Sequence, residues 1–281
     1  MPLERDLADG MLHMSILEHL DELRTRVIRA LLGLAAAYLV CVTFAEPLWA
    51  WVQGPLDEAA ARTGARVVTL GATEQFSILY LWTPLVAALF LAAPWALYQV
   101  WAFVSPGLYR RERKWAVPFI LSMAGLFIAG GAFAYLVVLR YSLVFLVGIG
   151  RDLAMERFVS ISSYFEMFVN VMLGTAVAFE LPAAVFFLTL LRIVTPGFLM
   201  RNSRYAILAI AILAAVVTPS PNVLDLVVFF VPMALLYFLG VFASYLLVLR
   251  REDQRFPWRP FLMWTAAASA AAFLYWRFLV R

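Results

Sequence analysis

Three carboxylates lie close together just before the first apolar run, in the segment 18–26 (EHLDELRTR). At helical spacing, Glu18, Asp21 and Glu22 fall on one face. Glu18 and Glu22 repel each other one turn apart, and Arg26, four residues after Glu22, offsets this only in part. The acidic face is therefore a candidate site for a cationic ligand. The alternative is a solvated collar whose arginines hold one end of a membrane span.

A further acid stands in a basic segment, 105–114 (SPGLYRRERK). Glu112 is its single carboxylate, and four cationic side chains surround it in sequence. Neighbouring cations favour the ionised form of a carboxylate, so Glu112 is a second candidate ligand for a cation. The plain alternative is an ordinary basic loop on the side of the membrane where such residues accumulate.

Two acids lie in the fourth apolar run. Glu180, within 177–182 (VAFELP), is deep in that run, where an ionised carboxylate costs about 3 kcal/mol or more unless it is protonated, paired or hydrated. Such a residue usually marks function, although a protonated Glu180 could instead cap the carbonyl that Pro182 frees. Glu166, near the start of the run, fits an interfacial residue.

A polar cluster separates the fifth and sixth apolar runs. Thr218 is followed by Pro-Ser-Pro, and Asn222 and Asp225 come next. Asn and Asp side chains accept hydrogen bonds from the free N–H groups of a first helical turn. The simplest interpretation of this cluster is the N-cap and turn of the sixth span.

The composition requires a membrane. Of 281 residues, 64% are hydrophobic and 14% charged, whereas about half and about a quarter are typical of soluble domains. Apolar runs long enough to cross a bilayer predict six spans, with a candidate seventh after a turn-prone segment. The six lie near 27–45, 76–104, 116–138, 161–191, 204–218 and 223–249, and the seventh is 261–280. We divide the chain into a six-span domain, 1–250, and a C-terminal extension, 251–281.

The predicted spans are unequal in length. The fifth offers about 14 residues where about 17 are needed, which implies a locally thinned bilayer or shelter by neighbouring helices. The second is long and contains Pro84 and Pro94, so we expect it to tilt and kink. Between spans one and two, Leu48 to Val52 could form a short interfacial helix that Gly54 and Pro55 break.

Arginines set the orientation. The segment before span one and the loops after spans two, four and six carry most of the basic residues, which predicts a cytoplasmic N-terminus in a multi-pass membrane protein. The first apolar run lacks a basic n-region and a small-residue cleavage pattern, so we interpret it as a retained span. The single cysteine, Cys41, excludes an internal disulfide.

Enzyme signatures are missing from the sequence. The only lysine, Lys114, lacks a Walker context, and both histidines, His13 and His19, precede the first span. No nucleotide loop, histidine metal pair or embedded catalytic triad can therefore be assembled. We expect no catalytic residues, metal, cofactor or nucleic-acid partner.

Ordered motifs along the chain closely resemble the TatC family, the multi-spanning receptors of the twin-arginine protein translocase. Segment 19–26 (HLDELRTR) is similar to that family's H-L-x-E-L-R-x-R entry, and 98–113 is similar to its second-span exit and first cytoplasmic loop. Three further blocks follow in family order: FAY at 133–135, FELP at 179–182 and TP at 218–219. Together they cover roughly residues 15–250.

The resemblance implies an all-α fold of six helices shaped like a cupped glove. It also implies that Glu22 and Glu112 receive the paired arginines of a signal peptide on a folded precursor, with Phe103 close by. We group Arg24 with this site and Gln99 with Glu180 as intramembrane polar residues. Pro55 matches a family proline of the first outer loop.

The partners implied are small single-span subunits, TatA and TatB or one bifunctional TatA-like subunit, in an oligomeric membrane complex driven by the proton-motive force. In the family these subunits contact the fifth and sixth spans. The nearby partner-contact candidates here are Thr218, Asn222 and Asp225.

Three positions depart from the family pattern. Asn222 stands where an aspartate is usual, so Asp225 is a candidate for the acidic role. Arg140 stands where many members carry proline, and the run 261–280 lies beyond six helices. A competing hypothesis from another class is a proton-coupled small-molecule transporter that uses Glu180 and Glu166 as a relay.

Overall fold

The chain folds as a helical bundle, which we describe from a computed structural model for residues 16–68, 71–104, 116–148, 158–218 and 222–251. In these ranges the helices are α1 (Ile16–Val42), α2 (Ala45–Thr63), α3 (Ala72–Ser77), α4 (Thr83–Val104), α5 (Ala116–Phe133), α6 (Leu139–Gly148), α7 (Ile161–Ala178), α8 (Leu181–Leu190), α9 (Pro196–Arg201), α10 (Ser203–Val217) and α11 (Val223–Arg251). π-Helical turns at Ile78–Trp82 and Ala134–Val138 join α3 to α4 and α5 to α6.

Apolar helices account for all six predicted spans. Five are long and apolar enough to cross a bilayer, and α10, with 15 residues, is the short one. The third span is longer than its apolar run predicts, because α6 carries the helix through Arg140 to Gly148. The candidate seventh span, 261–280, lies outside the described residues.

Two spans depart from regular α-helix next to prolines. In the second span the π-helical turn Ile78–Trp82 directly precedes the Thr83–Pro84 start of α4. In the fourth span the helix stops at Ala178 and resumes at Leu181, with Pro182 in the first turn of α8. A proline has no N–H to donate, so both interruptions fall where a hydrogen bond is missing.

The predicted break at Gly54–Pro55 is wrong. Helix α2 runs through Pro55 to Thr63 and ends at Gly64, whose φ of 73° is the left-handed conformation typical of a helix C-terminus. Val52 and Leu56 are buried in the main hydrophobic cluster. Helix α2 is therefore part of the protein core, although it lies between spans one and two.

The main core lies where α2, the π-helical turn of the third span, α7 and α11 meet. Its largest fully buried side chains include Leu56, Tyr164, Phe168 and Phe229. Helix α1 packs chiefly against α4. Two short strands, β1 (Arg66–Val68) and β2 (Phe158–Ser160), pair in parallel and connect the loops that follow α2 and the third span.

Candidate functional site

Helices α1 and α4 run in opposite directions and bring the predicted site residues together. On α1, His19, Glu22 and Arg26 follow one another at helical spacing on the face turned to α4. On α4, Gln99 and Phe103 are one turn apart and meet that face. The apolar stripe of α1 points elsewhere: Leu20, Leu23 and Val27 are exposed.

Arg26 connects the acid of α1 to the amide of α4. Its Nη2 lies 3.2 Å from Glu22 Oε1, and its Nη1 donates to Gln99 Oε1 at 3.4 Å. Glu22 and Arg26 are largely covered, and Gln99 is only 2% exposed. The i,i+4 pairing of Glu22 with Arg26 expected from the sequence is confirmed, and the structure adds Gln99 as a third member.

A ring stack covers the end of this polar group nearest the start of α1. The His19 and Phe103 rings stack with centroids 4.4 Å apart and planes 14° apart. Phe103 is half-buried, and α4 ends one residue later at Val104. The described part of the second span therefore ends directly beside the Glu22 site.

The second oxygen of Glu22 is the chemically unusual atom. Oε2 is buried and has no hydrogen-bond partner among the residues that the structure describes. A buried acceptor left without a donor costs about 1–3 kcal/mol, more when it is charged. Glu22 therefore presents an acceptor that a positively charged N–H donor would satisfy.

Two further residues predicted for this site are Arg24 and Glu112. Arg24 is on α1 and exposed, away from the face that packs on α4. Glu112 lies outside the described residues, and its role stays a prediction. His19 and Arg26 were not predicted as site residues; the signal available for both was their helical spacing from Glu22.

Two tyrosines from distant helices donate hydrogen bonds to backbone carbonyls in the turn before Pro55. The proline cannot donate to the carbonyl of Trp51, and the Tyr135 hydroxyl donates to that oxygen instead at 2.8 Å. The Tyr164 hydroxyl donates to the next carbonyl, that of Val52. The Tyr135 hydroxyl thus replaces the hydrogen bond lost at the proline, the Tyr164 hydroxyl adds a second bond one residue on, and the helix continues.

Glu180 occupies the interruption of the fourth span. It is the residue before α8, and both of its carboxylate oxygens are buried without a hydrogen-bond partner in the described part of the chain. It therefore does not cap the carbonyl freed by Pro182. Gly240 of α11 lies against the same turn, where an added Cβ would be 2.6 Å from Pro182 Cα.

Glu166 lies far from Glu180. It is exposed and lines, with Glu74, an open cavity of about 430 Å³ between the start of the second span and α7. Fourteen residues separate the two acids along the span, a rise of about 20 Å in a helix. A direct carboxylate relay between them is therefore not supported.

The polar cluster before α11 forms the predicted cap. Asn222 Oδ1 accepts the N–H of Leu224 at 3.1 Å, and the Asn222 carbonyl accepts that of Leu226. Asp225 is buried in the first turn, and Thr218 donates to the Ala214 carbonyl at the end of α10.

Arg140 of α6 reaches back to α2. Its Nε lies 3.5 Å from Glu58 Oε2, and Arg62, also on α2, pairs with the other oxygen of Glu58 at 2.7 Å. The partly exposed Arg140–Glu58 pair connects α6 to α2, although each of the two pairs contributes at most about 1 kcal/mol.

The bundle and its polar group define a class: a multi-pass membrane protein with a partly buried Glu-Arg-Gln group between two antiparallel helices. The sequence profile "TatC: Sec-independent protein translocase protein" matches residues 18–232. The chain belongs to the TatC family, a family of protein translocase components and not of enzymes.

Relatives and solved structures agree with this assignment. A protein of Koribacter versatilis named Sec-independent protein translocase protein TatC is 41% identical over 244 residues, 86% of this chain and 89% of that one. The TatCy protein of Bacillus subtilis is 33% identical over 82% of this chain and 89% of its own. A crystal structure of the twin-arginine translocase receptor TatC superimposes with a TM-score of 0.69 at 29% identity, covering 82% of this chain and 99% of that one.

Proposed function

We propose that this chain is the receptor subunit of a twin-arginine translocase and binds the paired arginines of signal peptides on folded precursors. Glu22 takes one arginine through Oε2, and Glu112 takes the other. The observation that carries the proposal is the buried, unpartnered Oε2 of Glu22 beside the end of α4. Phe103 and His19 give the site an aromatic border.

Arginine suits this site better than lysine. A guanidinium is planar, weakly hydrated and offers several N–H donors in a fixed arrangement, whereas an ammonium is a compact, strongly hydrated point charge. Hydrogen bonds to charged groups contribute about 1.5–3 kcal/mol each. The loss of one such contact therefore weakens binding by about tenfold to a hundredfold.

The basic residues near the start of α1 and after α4 favour a cytoplasmic N-terminus, so the site faces the compartment where precursors fold. The proposed location is the bacterial inner membrane, and the proposed energy source is the proton-motive force. TatA- and TatB-type subunits would contact α10 and α11. Leu208, Ile212 and Val216 of α10 are exposed apolar residues suited to such contact.

Site-specific photocrosslinking tests the proposal. A photoreactive residue replaces Thr25, which is one turn from Glu22 on α1, in one protein and Arg113 in another, and each is mixed with a precursor whose signal carries Arg-Arg or Lys-Lys. Both positions should crosslink the Arg-Arg signal and not the Lys-Lys signal. Glu22→Gln and Glu112→Gln should each reduce crosslinking and export at least about tenfold.

Two controls make the result specific. Asp21→Asn removes an exposed carboxylate one residue before Glu22 and should leave crosslinking unchanged. Glu112→Lys should be worse than Glu112→Gln because it adds repulsion. Unchanged signal binding in both neutralised variants would show that the paired-carboxylate site is wrong.

A further inference from the structure

We infer that Arg26, anchored by Gln99, is a positioning residue: it occupies Oε1 of Glu22 and leaves the buried Oε2 as the oxygen that still lacks a donor among the described residues. We infer further that this fixed arrangement sets the preference for arginine over lysine. The inference rests on the proposed function, because it concerns the same carboxylate. It assigns to Arg26 and Gln99 a role in selectivity, although neither contacts the ligand in this scheme.

The geometry of Arg26 supports this role. Its two terminal nitrogens are used separately: Nη2 lies 3.2 Å from Glu22 Oε1, and Nη1 donates to Gln99 Oε1. The first contact is within α1, and the second crosses to α4. Because Gln99 is almost fully buried in the second span, the guanidinium is held from both sides and cannot turn freely with the exposed residues of α1.

The consequence falls on Glu22. An isolated glutamate side chain rotates and offers two equivalent oxygens to any cation. Here Arg26 occupies Oε1, and the buried Oε2 has no donor among the described residues, so one oxygen in one fixed orientation is left to accept from the ligand. An oriented acceptor favours a donor with fixed N–H directions, which an arginine has and a lysine lacks.

The charge of Arg26 argues against a purely attractive role. A cation beside Glu22 weakens the field that would draw another cation, so Arg26 lowers the attraction for any positive ligand, lysine included. The benefit is orientation, which only a guanidinium ligand exploits. Arg26 should therefore raise the ratio of Arg-Arg to Lys-Lys affinity and not affinity in general.

Binding measurements on the full chain in detergent test the inference. Fluorescent signal peptides carrying Arg-Arg or Lys-Lys are titrated against the parent, Arg26→Gln, Arg26→Lys and Gln99→Leu. Arg26→Gln should lower Arg-Arg affinity about five- to twentyfold and change Lys-Lys affinity less than about twofold. Arg26→Lys should restore part of the lost preference, because an ammonium keeps the ion pair with Glu22 but bridges to Gln99 poorly.

Gln99→Leu should reproduce the selectivity loss of Arg26→Gln in weaker form, and the double variant should be no worse than Arg26→Gln alone. Arg29→Lys is the matched control: Arg29 is exposed on the same helix, and its replacement should leave both affinities unchanged.

The outcomes separate the inference from the proposed function. If Glu22→Gln does not weaken Arg-Arg binding, the proposed function itself fails. If Glu22→Gln does weaken it, three results of Arg26→Gln would overturn only the inference: tighter Arg-Arg binding, which marks Arg26 as a competitor; equal loss for both peptides, which marks a structural role; or no change in either. If Arg26→Gln does not fold, the affinities of Arg26→Lys and Gln99→Leu for the two peptides test the inference instead.

Discussion

At the scale of single residues, Pro55 shows how a helix tolerates a residue that should break it. A proline in a helix interior costs about 3 kcal/mol or more, through a lost hydrogen bond and a steric clash. Tyr135 and Tyr164 donate to the carbonyls of Trp51 and Val52, the region where that bond is lost. The Tyr135 ring also stacks on Trp51, with centroids 3.9 Å apart.

Removing either hydroxyl should destabilise the protein. Tyr135→Phe keeps the ring and leaves the partly buried Trp51 carbonyl without a donor, so it should lower the free energy of unfolding by about 1–3 kcal/mol. Tyr164→Phe removes a second donor from the buried Val52 carbonyl and should lower it by about 1 kcal/mol. The measurement is the apparent melting temperature in detergent. Tyr141→Phe, at an exposed position next to Arg140, is the control and should not change it.

A double-variant cycle shows whether Tyr135 stabilises α2 through its hydrogen bond to the Trp51 carbonyl or through ring packing. Pro55→Ala supplies a backbone N–H that can itself bond the Trp51 carbonyl. In that background Tyr135→Phe should cost clearly less than in the parent. Equal costs in the two backgrounds would mean that Tyr135 stabilises α2 through ring packing alone.

The sequence alone predicted those contacts of the candidate site that lie within one helix. Glu22 and Arg26 are four residues apart, so helical spacing was enough to pair them. Gln99 is 73 residues from Arg26, and Tyr135 is 84 residues from Trp51. Contacts at such separations depend on how helices pack, and no spacing rule within one helix can reveal them.

At the scale of elements, the close contact between α1 and α4 holds the site. The Trp95 Nε1–H of α4 donates to the Arg29 carbonyl at 2.9 Å, and its ring lies over Gly33. A Cβ added at Gly33 would lie 2.2 Å from Trp95 Cδ1. Glycine is therefore required at this position for the two helices to approach.

Gly33→Ala should separate α1 from α4 and disturb the Glu22 site without changing any site residue. We expect a lower melting temperature and at least a threefold loss of signal-peptide affinity. Gly125→Ala is the matched control, because it makes the same change in α5 where an added Cβ meets nothing within 4 Å. Trp95→Leu, which makes room, should partly restore affinity to Gly33→Ala. Equal behaviour of the two alanine variants would contradict this account.

The membrane-spanning helices could be predicted from the sequence because the hydropathy of each segment depends only on its own residues. All six apolar runs became helices, because each run carries its own signal for crossing a bilayer. The continuation of α2 past Pro55 was missed because its donors come from other spans. The extension through α6 was missed because Arg140 resembles the end of a span, and its partner Glu58 lies in α2.

At the scale of the whole molecule, the short fifth span and Glu180 act on the same bilayer. Helix α10 has 15 residues, a rise of about 22 Å against a hydrocarbon core of about 30 Å. Val217, at its end, packs on Gly174 in the middle of the fourth span. A carboxylate within the same span adds a second local cost to the membrane.

Glu180 should therefore matter for transport more than for binding. Glu180→Gln keeps a polar group and should reduce export only mildly, whereas Glu180→Leu should reduce it strongly. Because both carboxylate oxygens lack partners, the leucine variant should be at least as thermally stable as the parent. Export of an Arg-Arg precursor and signal crosslinking are measured in parallel. A loss of signal binding equal to the loss of export would overturn this assignment.

The pairing of β1 with β2 also constrains how the protein is made. The two strands are three residues each, and the chain between them contains the second and third spans. One missed crossing would leave β2 on the opposite side of the membrane from β1, so the strands can pair only when the number of crossings between them is even. A chain in which just one of the two spans has inserted therefore cannot form this pair, and β1 and β2 would remain apart in it.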